Sequence, residues 1–401
     1  MGSDLDTASH IFKRKFTGPN VARLTEREHP RWGRLQKKGG FGGDKVTYHI
    51  LTGNPQGVSG SLEVAQRNAS SSKGKKPEVD RRHKFGVIRI DAEAAAASEG
   101  NDAAFYNLTV RETKGIFLAM ARRFAFDAYR DGKSRLGQRA SISGNVITLA
   151  EPTDVNNFEE GMVLIADDAD DGLTPKSGTA EVTGIGTNGT ITVDDAAGIS
   201  GFADNDYLFP EGEPGTAMDG LALCTPLTEP TAGDSFRGMD RSVNVARLAG
   251  SRVADDGSST EEKMGLGAIR CGLVGPEHVP TECYVHPLKF WEVSKRQMGK
   301  VQFGNPGAEG FRAAYGYQYI DIVTPNGPMR MFSDPDCPQN RGYGEKPENH
   351  YIHHLKDLPH FQMQGASNYL VVYNAAAIEQ RLLSWCNYVQ EDPASHYAAE
   401  L

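Results

Sequence analysis

Few residue patterns in this chain could carry chemistry, and each lacks something its chemistry requires. Gly184-Ile-Gly-Thr-Asn-Gly189 spells GxGxxG, the pattern in which a strand presents a pyrophosphate to a helix N-terminus. The residues that follow, Thr190-Ile-Thr-Val193, read as a strand, so a β-turn is expected there. Asp167-Asp-Ala-Asp-Asp-Gly172 has the acid density of a calcium loop, yet its third position is Ala169 and Gly178 stands where a bidentate Glu is needed. A solvated acidic turn is expected, with a weak surface Ca²⁺ site as the alternative. His350, His353, His354 and His360 form a histidine cluster. Adjacent His353 and His354 point apart in either regular structure, which makes them surface or subunit-contact residues before metal ligands. No P-loop, HExxH or GxSxG pattern occurs. Cys224, Cys271, Cys283, Cys337 and Cys386 include no CxxC pair and read as reduced thiols. No residue is therefore assigned a catalytic, cofactor-binding or metal-ligating role.

The composition points away from a compact enzyme. A chain of 401 residues ordinarily holds two or three domains. Only 38% of its residues are hydrophobic and 45 are glycine, which suggests extended loops and turns beside a modest core. No apolar run approaches the roughly 20 residues that cross a bilayer, and the N-terminus lacks an apolar signal segment. The net charge of −9 hides an asymmetry: residues 1–90 carry 18 Lys/Arg against 8 Asp/Glu, and residues 91–401 carry 25 against 44. A basic N-terminal part beside an acidic body favours association with an acidic surface, on another subunit or on a polyanion. Aromatic residues among these cations are sparse (Phe16, Trp32 and Phe41), so a single-strand stacking platform is not expected and protein contact is.

The elements that would position these residues follow in order. Residues 1–44 read as an extended arm without a core of its own. Residues 45–100 read as a protruding hairpin, with strands over 45–51 and 84–90 and a polar tip of roughly thirty residues between them. A lone two-stranded hairpin is marginal in water, so it needs another molecule to lie on. Residues 101–135 hold a long helix over 101–131, whose Phe117, Met120, Ala121, Phe124 and Ala128 make one apolar stripe. Residues 136–213 carry strand-like runs between Gly, Asn and Asp turns, and from 141 to 213 there is one Lys, no Arg and fifteen Asp/Glu. They read as a small inserted all-β domain, a sandwich or a barrel. Residues 214–401 return to an α+β body. A helix is expected over 258–271, a strand over 281–286, a helix over 287–296, an Asn-Gly hairpin over 319–332, a strand over 369–373 and a terminal helix over 375–388. Ser333-Asp-Pro-Asp-Cys-Pro338 breaks the hairpin's second strand.

The order strand, helix, Gly-rich loop, hairpin and Asp-Pro over 281–338, set behind arm, long hairpin, long helix and β-insertion, resembles the tailed-phage major capsid proteins of the Hong Kong 97 type. The resemblance implies an α+β fold with a long spine helix, an extended β-hairpin, an inserted all-β domain, and an axial domain within residues 240–360. It implies a structural protein rather than an enzyme. Such a protein builds an icosahedral shell of hexamers and pentamers around double-stranded DNA that it packages without reading sequence. The implied setting is the virion, assembled in the host cytoplasm, with no membrane. The implied partners are further copies of itself, a separate scaffolding protein (the spine begins too early for a fused one), a portal and a decoration protein. Lys13, Arg14, Lys15, Arg81, Arg82 and Lys84 are the candidate inter-subunit contacts. Some members crosslink a hairpin Lys to an Asn, and nothing selects one of Lys73, Lys75, Lys76 and Lys84 for that chemistry. Two other readings are an encapsulin-like nanocompartment shell on the same fold and a glycan- or ester-processing enzyme with a β-domain insertion.

Overall fold

The computed structural model describes residues 29–91, 102–298, 319–363, 370–371 and 377–401. Its longest helix, Asp102–Asp127, has 26 residues and spans about 39 Å at 1.5 Å per residue. Phe117, Met120, Ala121, Phe124 and Ala128 are all buried, so the expected stripe faces the core. The helix stops before residue 131 because its last carbonyls are taken from outside. Leu221 N–H donates to Ala128 O at 3.0 Å, and Ala222 N–H donates to Tyr129 O at 3.2 Å. That approach requires glycine at 220, where a Cβ would lie 2.2 Å from Asp127 O. Among the described residues no helix is long and apolar enough to cross a membrane.

One sheet lies against this helix. Its central strand is Ala377–Gln390, flanked by His350–His354, His360–Phe361 and Leu370–Val371 on one side and Arg82–Asp91 on the other, with Gln36–Gly39 parallel to His350–His354. This overturns three expectations. The terminal helix expected over 375–388 is a 14-residue strand. Gln380, Leu382, Ser384, Cys386, Tyr388 and Gln390 make one continuously buried row, while Arg381, Leu383 and Trp385 between them are more exposed, and the polar members of that row hide a period of two behind the helix-like spacing of Ile378 and Leu382. The second strand expected in the hairpin belongs to this sheet instead, because Lys84, Gly86 and Ile88 face inward. A Cβ at Gly86 would meet Met120 Sδ at 2.9 Å. The hairpin is formed by Lys45–Thr47 with Glu78–Asp80 and Ile50–Gly53 with Lys73–Lys75. Its tip, residues 54–72, carries the short helix Leu62–Arg67. Finally, the arm is not coreless throughout. Pro30–Arg34 is helical, and Trp32, Leu35 and Phe41 are buried. Residues 1–28 lie outside the described residues, as does most of the strand expected over 369–373.

Six strands between the long helix and the returning body close into a barrel: Gly137–Ser143, Val146–Leu149, Val163–Asp167, Ala180–Ile185, Thr190–Val193 and Tyr207–Pro210. Ile147, Leu164, Val182, Ile191, Val193 and Leu208 fill it. The GxGxxG stretch is the turn of its Ala180–Ile185/Thr190–Val193 hairpin, as expected, with Gly189 at a φ of +72°.

A second sheet runs Ser251–Val253, Tyr397–Glu400, Arg341–Glu345, Glu282–Val285, Gly327–Ser333 and Ile320–Thr324, with helices Thr260–Val274 and Pro287–Met298 beside it. Ser259 and Glu262 form a capping box at the start of the first helix. The Tyr397 ring is clasped between two glycines. A Cβ at Gly267 would lie 2.3 Å from Cδ2, and one at Gly344 would lie 1.9 Å from Cε1. Gly344→Ala should therefore cost about 1–3 kcal/mol by overpacking, read as a lowered denaturant midpoint. An unchanged midpoint would show that the ring can move aside.

Candidate assembly surfaces and the central joint

A buried polar centre joins the first described residues to both sheets. Pro30 starts the short helix, and Arg31 is thereby turned into the core with no exposed surface. Its Nε donates to Glu345 Oε2 at 2.9 Å, its Nη1 to Ala128 O at 2.8 Å, and its Nη2 to the Tyr388 hydroxyl at 3.4 Å. Burial alone would weaken the charge on Arg31, but Glu345 beside it outweighs that cost and holds the guanidinium above its ordinary value. Arg31 N–H and Tyr129 O–H both donate to Asp334 Oδ2 at 2.9 Å. Burial, then the charge of Asp336, pushes the Asp334 carboxyl up to about 7. His29 Nδ1 lies 2.5 Å from Asp336 Oδ2. The arm, the end of the long helix, the Asp-Pro break and both sheets thus meet at one residue.

Beside Glu345, His350 Nδ1 and His396 Nε2 lie 2.8 Å apart, and His350 Nε2 is 3.5 Å from Glu345 Oε1. Glu345, His350 and His396 are buried and close enough to share an ion. Their other bonds suit a hydrogen-bonded link better: Glu345 is held by Arg31⁺, and a second buried cation there would be repelled. Burial, followed by the neighbouring His350, lowers His396 to about 3, and burial with Arg31 lowers His350 well below its ordinary value. The sign follows directly. As pH falls from about 6.5 toward 3, the unfolded chain takes up a proton that folded His396 refuses, so this residue's contribution to stability is lost in acid. Asp334 acts in the opposite sense, since its folded form holds a proton up to about pH 7. His396→Asn should therefore flatten the fall in denaturant midpoint between pH 6.5 and 4 relative to wild type. Parallel curves would exclude His396 as its source.

The sequence pattern groups the wrong histidines. His353 Nε2 faces Gly39 O, His354 Nδ1 faces Lys356 O and His360 Nδ1 faces Asp357 O, so they do not converge. In the acidic turn, Asp167 accepts from Ala169 and Thr174 N–H, while Asp170 is paired with Lys133 at 2.7 Å and Arg135 at 3.3 Å.

The candidate inter-subunit cations separate into three groups. Lys84 is buried, with Nζ 2.7 Å from Asp127 Oδ2 and 3.5 Å from Glu213 Oε1. Its charge serves this chain's own core, because an inward-facing strand position cannot also reach a neighbour. Arg82 donates to Gly215 O at 2.7 Å and Arg81 to Gly43 O at 3.1 Å, both only partly covered. Lys13, Arg14 and Lys15 lie outside the described residues. What the chain leaves uncovered is apolar: Val58 is 88% and Leu62 75% exposed at the hairpin tip. Phe85 and Val87, each more than half exposed, stand on the outer side of Arg82–Asp91. Large apolar side chains left in water mark surfaces that associate. Arg31, Glu345 and His396 escaped the sequence reading, and only Pro30 hinted at an ordered start.

No protein-family model matches the chain, and no curated protein does. Among solved structures it is similar to a chain of the cyanophage A-1(L) capsid asymmetric unit, with 9% identity and a TM-score of 0.52, covering 95% of this chain and 92% of that one. It is similar to a chain of the capsid of a native GTA particle at 8% identity and a TM-score of 0.49, over 95% and 90% of the two chains. It is also similar to one from the holo-SrpI encapsulin complex of Synechococcus elongatus PCC 7942 at 10% identity and 0.44, over 100% and 96%. The first likeness spans nearly the whole of both chains and defines the fold as the Hong Kong 97-type capsid fold. This chain is a mixed α+β form of that fold carrying a small β-barrel insert.

Proposed function

We propose that this chain is a major capsid protein, the structural and non-catalytic subunit of an icosahedral shell of hexamers and pentamers enclosing phage double-stranded DNA. The observation that carries the reading is the full-length likeness in fold to a phage capsid chain. The hairpin supports it: short strand pairs lead to a tip whose Val58 and Leu62 have no partner surface in the same subunit among the described residues. Residues 45–80 would reach across to a neighbour, the second sheet and its helices would form the axial domain, and the long helix the spine of the peripheral domain. Lys13, Arg14, Lys15, Arg81 and Arg82 would meet acidic surfaces of adjacent subunits. Exposed pairs contribute only about 0–1 kcal/mol each, but repetition over a shell adds them up. Assembly would take place in the host cytoplasm with a separate scaffolding protein, a portal and, on the finished virion, a decoration protein.

The test is negative-stain imaging and light scattering of the purified protein, alone and with its scaffolding partner. Closed shells or capsomers are expected, and nucleic acid rather than protein cargo inside particles recovered from infected cells. A stable monomer under every condition would sink the shell reading. Shells that enclose protein cargo and no DNA would move it to the nanocompartment.

A further inference from the structure

Where the barrel, the end of the long helix and the second sheet meet, there is a water-accessible cleft of about 400 Å³. Its walls carry opposite charge. Arg130 after the long helix, Lys289 on helix Pro287–Met298 and Arg341 on strand Arg341–Glu345 line the body side. Glu151 and Asp154, at the short turn Pro152–Asn157, line the barrel side. Arg135 and Asp131 also line it, but Arg135 is held by Asp170 at 3.3 Å and Asp131 lies near Lys133 at 3.9 Å. Among the described residues, Arg130, Lys289, Arg341, Glu151 and Asp154 form no ion pair. The Arg130 guanidinium lies over the Phe126 ring at 4.5 Å, and its Nε has no hydrogen-bond partner. Asp154 accepts one bond, from Asn157 Nδ2 at 3.2 Å.

We propose that this cleft is a closable joint, in which the barrel swings onto the body so that Asp154 meets Arg130 and Glu151 meets Lys289 and Arg341. The connections to the barrel suit such a motion. The incoming segment has left-handed backbone at Gly132 and Ser134, and the outgoing one at Gly212 and Gly215, local bends that can serve as hinges. On the other side of the turn Pro152–Asn157 a latch holds the open position, where Arg122 bonds to Glu159 and to Asn156 O. Burial lowers Arg130 and raises Asp154, and the attraction each already feels from the other across the cleft offsets this only in part, so direct pairing would favour both charges further. Rocking exchanges the Arg122–Glu159 pair for the Arg130–Asp154 pair, a two-state element biased by few charges. None of this depends on the shell reading.

The test is a spin-label distance measurement on the full chain carrying Asn188→Cys on the barrel and Glu348→Cys on the body, both exposed positions. All five native cysteines are buried and should resist labelling. Two distances are expected, with the shorter one minor. Arg122→Gln, which releases the latch, should raise the shorter population by about threefold or more, and Arg130→Gln or Asp154→Asn should reduce it by a similar factor. The exchanged pair Arg130→Asp with Asp154→Arg should restore it. A single distance indifferent to these substitutions would overturn the joint, whether or not the protein forms shells.

Discussion

Arg31→Ala is expected to destabilise the folded chain by about 3–5 kcal/mol, because it leaves Glu345 as a buried carboxylate without its cation and takes one of two donors from Ala128 O. That is a large part of the total stability of an ordinary domain, so in urea at 25 °C the midpoint should fall steeply. Arg31→Lys keeps the charge but cannot reach Glu345, Ala128 and Tyr388 with one fork, and should recover only part of the loss. Arg31→Met with Glu345→Leu removes both charges together and should be much milder than Arg31→Ala alone. If Arg31→Ala lowers the unfolding free energy by less than about 1 kcal/mol, the joint is not what fastens the arm to the two sheets.

Replacing residues 54–72 by a short Gly-Ser turn should abolish shell formation while leaving the subunit folded. The four strand segments of the hairpin remain able to pair, and neither Val58 nor Leu62 contributes to the core. Thermal melting should therefore be little changed, whereas sedimentation should show free subunits or capsomers in place of shells. In the unaltered protein, trypsin should cut after Arg67, Lys73 or Lys75 in free subunits and be excluded once shells form. Shells of normal yield from the shortened chain would show that the tip makes no essential contact between subunits.

Much of the architecture was legible because short-range periodicity encodes it. The stripe of the long helix, the Gly-punctuated strands of the barrel and the Asn-Gly hairpin near residue 326 all depend on neighbours a few positions apart. What could not be read depends on partners far away in sequence. Ala377–Gln390 looks helical until Arg82–Asp91 is placed beside it, since only then do Gln380 and Ser384 become inward positions. Lys84 looked like a surface cation because Asp127 and Glu213 are distant in the chain. The same holds for the central joint, where Arg31 meets residues 303 and 314 positions away. No local pattern announces such a pairing.

That separation has a consequence for how the protein is made. The strand Arg82–Asp91 and the apolar face of the long helix emerge from the ribosome early, yet the strand that completes their sheet is Ala377–Gln390. At 5–20 residues per second, roughly 15–60 s of synthesis separates them. Throughout that interval the nascent chain carries an unpaired strand edge and an uncovered row of Phe117, Met120 and Phe124, the features that drive premature association. The barrel, whose strands all lie within residues 137–210, can close meanwhile on its own nearest neighbours. Production of this protein should accordingly be limited by holdase capacity during translation, and chains stalled before residue 377 should be found in aggregates with their barrels already formed.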